Sequence, residues 1–203
     1  MPATKQRRSQ GIESRRKLIE ATAELLGDGG YSAMSVDGIA KRAGVVKSAL
    51  YWHFGSKRGL LLAALEHHID TWTDEVSRSV AEQSHPLGRL ESFLSYIRDV
   101  IVDRPYSRRL IVSLLMERAH ADEQVREMIA QLFRDLRRAL VEGFALAVPV
   151  TPQLEQFCDG FVCELDGLFL RFQADPDVAR LDASLAYLQK WIPRRLATEV
   201  LEG

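Results

Sequence analysis

Lys47, Ser48, Tyr51 and Trp52, followed directly by His53, place a cation, two hydroxyls, an indole and an imidazole within seven consecutive positions. On a helix, where each residue turns by about 100°, an inward Leu50 leaves Lys47, Ser48, Tyr51 and Trp52 facing outward. His53 then lies close to the same surface. Such a face suits double-stranded nucleic acid: Lys47 can donate to guanine O6 and N7, Tyr51 can donate to a phosphate, and Trp52 offers an apolar surface to a thymine methyl. Phe54, next in line, is expected to pack the module onto its neighbour.

These groups can read a groove only if the segment carrying them is held from behind. Upstream, Ser35 is a good N-cap. Val36, Ile39, Ala40 and Ala43 follow at helical spacing, and Gly44 suits a left-handed C-cap. A two-turn helix over 36–43, a glycine turn and a second short helix over 47–53 make a helix-turn-helix, in which the first helix braces and the second enters the major groove. A supporting helix is expected over 14–26, with Leu18, Thr22, Leu25 and Leu26 on one face, ending in the breaker Gly27-Asp28-Gly29-Gly30. Gly55-Ser56 punctuates before a long helix over 57–80.

At these residues the chain resembles the TetR family of bacterial transcriptional repressors. The resemblance covers about 13–65: the first helix, Ser35-Val36, the run Ile39-Ala40-Lys41-Arg42-Ala43-Gly44-Val45, Leu50-Tyr51-x-x-Phe54, and Ser56-Lys57-x-x-Leu60-Leu61. It implies a homodimer whose third helices read half-sites of a palindromic operator, with Tyr51, His53 and Lys57 near phosphates and Lys47 to Ala49 near bases. The candidate DNA-binding residues are therefore Ser35, Lys47, Ser48, Ala49, Tyr51, Trp52, His53 and Lys57. Two positions depart from the family pattern. Val46 stands where Ser or Thr commonly caps the recognition helix, a loss on the order of 1 kcal/mol, and Ala49 replaces the commoner Thr.

Charge supports the division this implies. The 203 residues carry 27 Lys and Arg against 28 Asp and Glu, a formal net charge of −1. Residues 1–60, however, hold 11 basic and 5 acidic side chains, or +6, leaving 16 basic and 23 acidic, or −7, for residues 61–203. The fold expected is all-α: a basic arm over 1–12 containing Lys5, Arg7 and Arg8, a three-helix DNA-binding head over 13–56, and an antiparallel helical bundle for regulation and dimerisation over 57–203. Bundle helices are expected over 87–103, 106–119, 122–147, 152–173 and 178–199. The 106–119 segment is apolar nearly all round, as a central, surrounded helix requires.

Two functions are expected of the bundle. On 157–172, Phe157, Phe161, Leu165, Leu168 and Phe172 form one stripe and Gly160, Cys163 and Gly167 a second face of small residues. On the last helix Leu181, Leu185, Leu188 and Ile192 repeat, with Ser184, Tyr187 and Trp191 on another side. Two stripes on each of two adjacent helices suggest a four-helix interface between subunits, with Gly160, Cys163, Gly167, Ser184, Tyr187, Leu188 and Trp191 as candidates. Trp72, Phe93, Tyr96, Phe133, Phe161 and Glu164 are candidates for a pocket taking a small, largely apolar effector, Glu164 as a semi-buried acid or as a partner of Arg171.

Other classes find little support. No G-x-S-x-G, phosphate-binding glycine loop or H-E-x-x-H occurs, so no catalytic residue and no cofactor is expected. His67-His68, His85 and His120 lack metal-ligand spacing, and Cys158 and Cys163 diverge on a helix and read as core residues rather than a redox pair. No apolar run approaches the roughly 20 residues of a membrane span, and the basic, polar first 20 residues are unlike a signal peptide, so a cytoplasmic location is expected. The rival readings are a helix-turn-helix regulator with no small-molecule ligand and, more remotely, a helical ligand carrier or enzyme.

Overall fold

The computed structural model describes residues 2–81, 83–118 and 121–201, and every regular element among them is helical. In chain order these are α1 (Pro2–Ala33), α2 (Val36–Ala43), α3 (Lys47–Phe54), α4 (Lys57–Ala81), α5 (Pro86–Val102), α6 (Pro105–Glu117), α7 (Glu123–Phe144), α8 (Pro152–Ala174) and α9 (Val178–Arg195), with a π-helical turn over Leu196–Leu201. No helix among the described residues is long and apolar enough to cross a membrane.

The residues group into two compact units, Met1–Thr71 with Pro105–Ala130, and Trp72–Arg104 with Gln131–Gly203. The first unit thus holds α1 to α3, the first part of α4, α6 and the start of α7. In this first unit α1 packs along α6, while α2 and α3 pack on α1 and on each other. Its core is Leu18, Ile19 and Leu26 of α1, Ile39 and Ala40 of α2, Leu50 of α3, Leu60, Leu61 and Leu65 of α4, and Leu110, Ile111 and Leu114 of α6.

Three expectations change here. α1 begins at Pro2, so the segment read as an arm is helical backbone; Pro2 suits a first turn, and Ala, Lys, Gln and Arg are good helix formers. The side chains of Lys5, Arg7 and Arg8 lie outside the described residues. α1 also continues through Gly27, Asp28 and Gly29. Each interior glycine costs only about 1 kcal/mol, and the helical path breaks at Gly30 alone (φ 70°, ψ −175°). Finally, α6 is not surrounded: it buries Leu110, Ile111 and Leu114, and Met116 on another side is 76 % exposed.

The corner between α6 and α7 ties this unit together. Glu117 accepts hydrogen bonds from the backbone N–H groups of Tyr31 (3.3 Å) and Ser32 (3.1 Å), the orphan donors just after the break at Gly30. The Tyr31 ring carries the Lys57 ammonium 4.4 Å and the Arg118 guanidinium 4.5 Å from its centre. Arg58 of α4 donates to both oxygens of the buried Asp122 (2.8 and 2.9 Å), which also accepts from the Val125 N–H in the first turn of α7. The Arg58 hydrogen bond holds the Asp122 carboxyl below its ordinary value.

The second unit is built around Phe161 of α8. The rings of Phe93 (α5) and Phe144 (α7) lie 6.1 and 6.3 Å from it, and Phe144 meets Phe157 at 5.8 Å. Leu181, Leu185, Leu188 and Ile192 turn α9 inward, where it packs on α5 and α8. Thr151 caps α8 by accepting from the Leu154 N–H (3.2 Å), with Pro152 in the first turn, and Asp177 caps α9 by accepting from the Arg180 N–H (2.9 Å). The last helix was expected to reach residue 199. Instead α9 gives way to the π-helical turn, two residues after Pro193 removes a backbone donor.

At Gly30 a Cβ would meet the Glu117 carboxylate and would sit at positive φ. The carboxylate is the mobile end of a side chain, so the backbone strain dominates. Gly30→Ala is expected to lower unfolding free energy by about 1–3 kcal/mol in urea titrations, and adding Glu117→Ala should not restore it. The Asp122 interaction has a pH signature. A depressed folded-state pKa contributes stability above the unfolded value, near 3.8, that disappears as pH falls through the folded value. The urea midpoint of the wild type should therefore fall more steeply below about pH 4 than that of Asp122→Asn.

Candidate nucleic-acid interface

α2 is defined at both ends. The Ser35 hydroxyl accepts from the Gly38 N–H at 2.9 Å, leaving its own O–H as a donor. Gly44 (φ 65°, ψ 34°) ends the helix in the left-handed region, and its N–H, with that of Val45, bonds back to the carbonyl of Ala40. α3 begins without such help, since Val46 offers no side-chain cap. Its position comes from Leu50, which is fully buried, while Tyr51 is 53 % and Trp52 77 % exposed. Lys47 and Ser48 are exposed on the same short helix and Ala49 is half-buried.

The exposed cation is not isolated. Lys47 Nζ pairs with the Asp37 carboxylate of α2. Both side chains are largely in solvent, where such pairs are worth about 0–1 kcal/mol, so a phosphate or guanine edge can replace Asp37 at little cost. His53 has a different environment. Its Nε2 lies 2.7 Å from Ser14 Oγ of α1, and burial, helped by the nearby Arg15 charge, pushes its pKa down. It is thus a predominantly neutral ring at pH 7, anchored to α1, rather than a fixed cation for phosphate. Lys57 lies half-buried against Tyr31, and half-buried Phe54 packs beneath the Arg15 guanidinium at 5.3 Å. Ser14, Tyr31 and Asp37 escaped the sequence reading. Their partners sit 39, 26 and 10 positions away, and no local periodicity links them.

In the second unit Trp72, Phe93, Tyr96 and Phe161 are buried and Phe133 is half-buried. Tyr96 donates to Glu75 at 3.1 Å, and Glu75 also accepts from Arg104 at 2.8 Å. Glu164 accepts from Arg195 at 3.1 Å, not from Arg171. None of the six candidate effector residues lines the cavity of about 280 Å³ in this unit, which opens where the start of α5, the end of α7 and the end of α9 meet. Phe144 does line it.

Gly160, Cys163 and Gly167 are exposed along α8, and open space lies where either glycine's Cβ would stand. On α9, Tyr187 is 60 % exposed and stacks on half-buried Trp191 with ring centres 5.9 Å apart, and Ser184 is half-buried. Leu188 differs from these: at 6 % exposure it belongs to the inward stripe, four residues before Ile192. The two cysteines also separate. Cys158 is buried, its thiol pushed up to about 12 by desolvation, whereas Cys163 faces outward rather than into the core. No cluster of three metal-ligating side chains occurs among the described residues.

Comparison with known proteins bears on these features directly. Residues 18–64 match the family described as "Bacterial regulatory proteins, tetR family". Over 190 residues, 90 % of each chain, the sequence is 30 % identical to the HTH-type transcriptional regulator BetI 1 of Chromohalobacter salexigens. It is 37 % identical to the HTH-type transcriptional activator FasR of Mycolicibacterium smegmatis over 99 residues, 49 % of this chain and 45 % of that one. A TetR transcriptional regulator from Chloroflexus aurantiacus has a similar fold, with TM-score 0.78 at 19 % identity over 91 % of this chain and 96 % of that one. A helix-turn-helix at the N-terminal end of an all-helical chain, with named regulators as relatives, defines a DNA-binding transcriptional regulator and not an enzyme. The chain belongs to the TetR family.

The geometry separates neighbouring side chains on α3. Tyr51→Phe, which removes one hydrogen-bond donor from the exposed face, should weaken DNA binding roughly threefold to tenfold. His53→Gln, which removes no charge at pH 7.5, should change it by less than about threefold if Ser14 keeps a partner. Fluorescence anisotropy on one operator fragment compares the two.

Proposed function

We propose that this regulator is a cytoplasmic repressor that binds a palindromic operator as a homodimer and is released by a small, largely apolar effector. The observation carrying the DNA half is the eight-residue α3, whose single fully buried side chain is Leu50 and whose Lys47, Ser48, Tyr51 and Trp52 are solvent-facing. Lys47 to Ala49 then read bases, while Tyr51, Lys57 and the Ser35 hydroxyl meet phosphates and His53 braces α3 against α1. Functionally, residues 13–56 are the reading head, residues 1–12 a basic extension of it, and residues 57–203 the regulatory and dimerisation part. The −7 charge of residues 61–203 disfavours any other approach to DNA, leaving the basic heads to face it.

The dimer reading rests on Gly160, Cys163 and Gly167 of α8 and on Ser184, Tyr187 and Trp191 of α9, small and aromatic groups of the second unit that its own core leaves partly or wholly uncovered. A C2 pairing through this face buries them and sets two α3 helices for half-sites about one DNA turn, roughly 34 Å, apart. Effector release follows as a population shift, the ligand favouring a conformation of the regulatory part in which that spacing is lost.

Titrating the full chain against operator DNA from low to moderate salt tests the core of this reading. Affinity should fall by about 0.9 log units per log of salt for each neutralised phosphate, and Lys57→Ala should lessen the slope by about one phosphate. Sedimentation should give twice the 22.9 kDa chain mass. A folded dimer with no DNA binding at low salt overturns the proposal. Removing the gene should raise transcription of the adjoining operator's genes; a fall would make the protein an activator, as the FasR relative is named.

A further inference from the structure

The cavity of about 280 Å³ in the second unit is walled by Leu90 of α5, Phe144 of α7, Val148 just beyond α7, Ile192 of α9 and Leu196 of the π-helical turn. It exists because the helix ends around it do not close on one another. α7 stops at Phe144, and α9 loses a backbone donor at Pro193 before it widens at Leu196. Among the described residues no charged side chain lines it, and His85 is the only one on its wall with a polar side chain. His85 is held in place as the N-cap of α5, where its Nδ1 accepts from the Leu87 N–H at 3.2 Å. A ring nitrogen that accepts carries no proton, so on this exposed residue the ring's N–H lies at Nε2, a donor that the cap does not use.

We propose that this cavity binds a compact, uncharged, largely apolar molecule that presents one hydrogen-bond acceptor to His85. The size sets the class. A dry cavity of about 150 Å³ accommodates benzene, so roughly twice that volume fits a bicyclic aromatic or a medium-length aliphatic compound. The wall excludes charged compounds, because an ion would lose hydration with no counter-charge to replace it. His85 adds orientation through a single donor, the pattern of small-molecule sites with few placed polar groups. The site thus lies where helix ends of the unit meet, and of the aromatic cluster around Phe161 only Phe144 lines it. Its use as the effector site rests on the effector-release reading above, but binding itself does not.

The test uses the full-length protein and two neutral probes, 2-acetylnaphthalene, which carries a carbonyl acceptor, and 2-ethylnaphthalene, which lacks one. Calorimetry should show saturable binding of both, with the ketone favoured about threefold to tenfold, the range of one net hydrogen bond, and with that preference lost in His85→Ala. Ala197→Phe, at the rim, fills the space from an exposed position and should weaken both probes more than about tenfold while leaving the circular dichroism spectrum unchanged. Nuclear Overhauser contacts in the wild type should run from the probe to the methyl groups of Leu90, Val148 and Ile192, which keeps the proposal testable if Ala197→Phe does not fold. No saturable binding of either probe, contacts to methyl groups beside Trp72 with none to Leu90, Val148 or Ile192, or an altered oligomeric state with unaltered probe affinity in Ala197→Phe would overturn it, the last assigning the cavity to contact between copies. Binding at these methyl groups with operator affinity unchanged upholds the cavity as a ligand site and removes only its role in DNA release.

Discussion

An eight-residue helix has no stability of its own in water, because nucleation costs more than two turns of hydrogen bonds return. α2 and α3 are both of this length, so the reading surface exists only while their apolar sides are buried. Ile39, Ala40 and Leu50 meet that demand against α1, and α1 in turn lies along α6. The weak start of α3 makes the dependence sharper. With Val46 in the capping position, the first turn has no side-chain cap and is joined to Val46 by the backbone bond from the Ala49 N–H, and Leu50 carries the positioning.

The polar contacts around this core are arranged at the ends of helices, where backbone groups lack partners. Glu117 serves the orphan amides after Gly30, Asp122 serves the first turn of α7 while receiving Arg58, and Ser35 serves α2. Charge does two jobs in the head. The Arg58–Asp122 pair is half-buried and fixes the start of α4, whereas Lys47 and Asp37 stand in solvent, where a competing polyanion can part them. A net charge near zero hides this, because +6 near the N-terminal end cancels −7 in the remainder.

Most helices were legible because their signals are local. Ser35, Thr151 with Pro152, and Asp177 lie at the starts of α2, α8 and α9, and the Leu181-Leu185-Leu188-Ile192 spacing marks the inward side of α9. Misreadings fell where a tertiary contact outweighs propensity. The glycine run after Leu26 reads as a breaker, yet α1 persists to Gly30 because α6 packs alongside and Glu117 receives the chain just beyond. Apolar composition suggested that α6 would be enclosed, but composition does not say how many neighbours a helix has, and Met116 is left in solvent.

Residue types and spacing by themselves determined an all-helical chain, the helix-turn-helix and the identity of the side chains on α3, since caps, turn glycines and a 3.6-residue period act within a few positions. Only the tertiary structure decided what each of those side chains is free to do. His53 is bonded to Ser14 with its pKa pushed down by burial, Lys47 is shared with Asp37, Glu164 meets Arg195, and the cavity lies at helix ends, lined by none of the six candidate effector residues. Burial, pairing and empty space depend on residues distant in sequence that folding alone brings together, and no period along the chain encodes them.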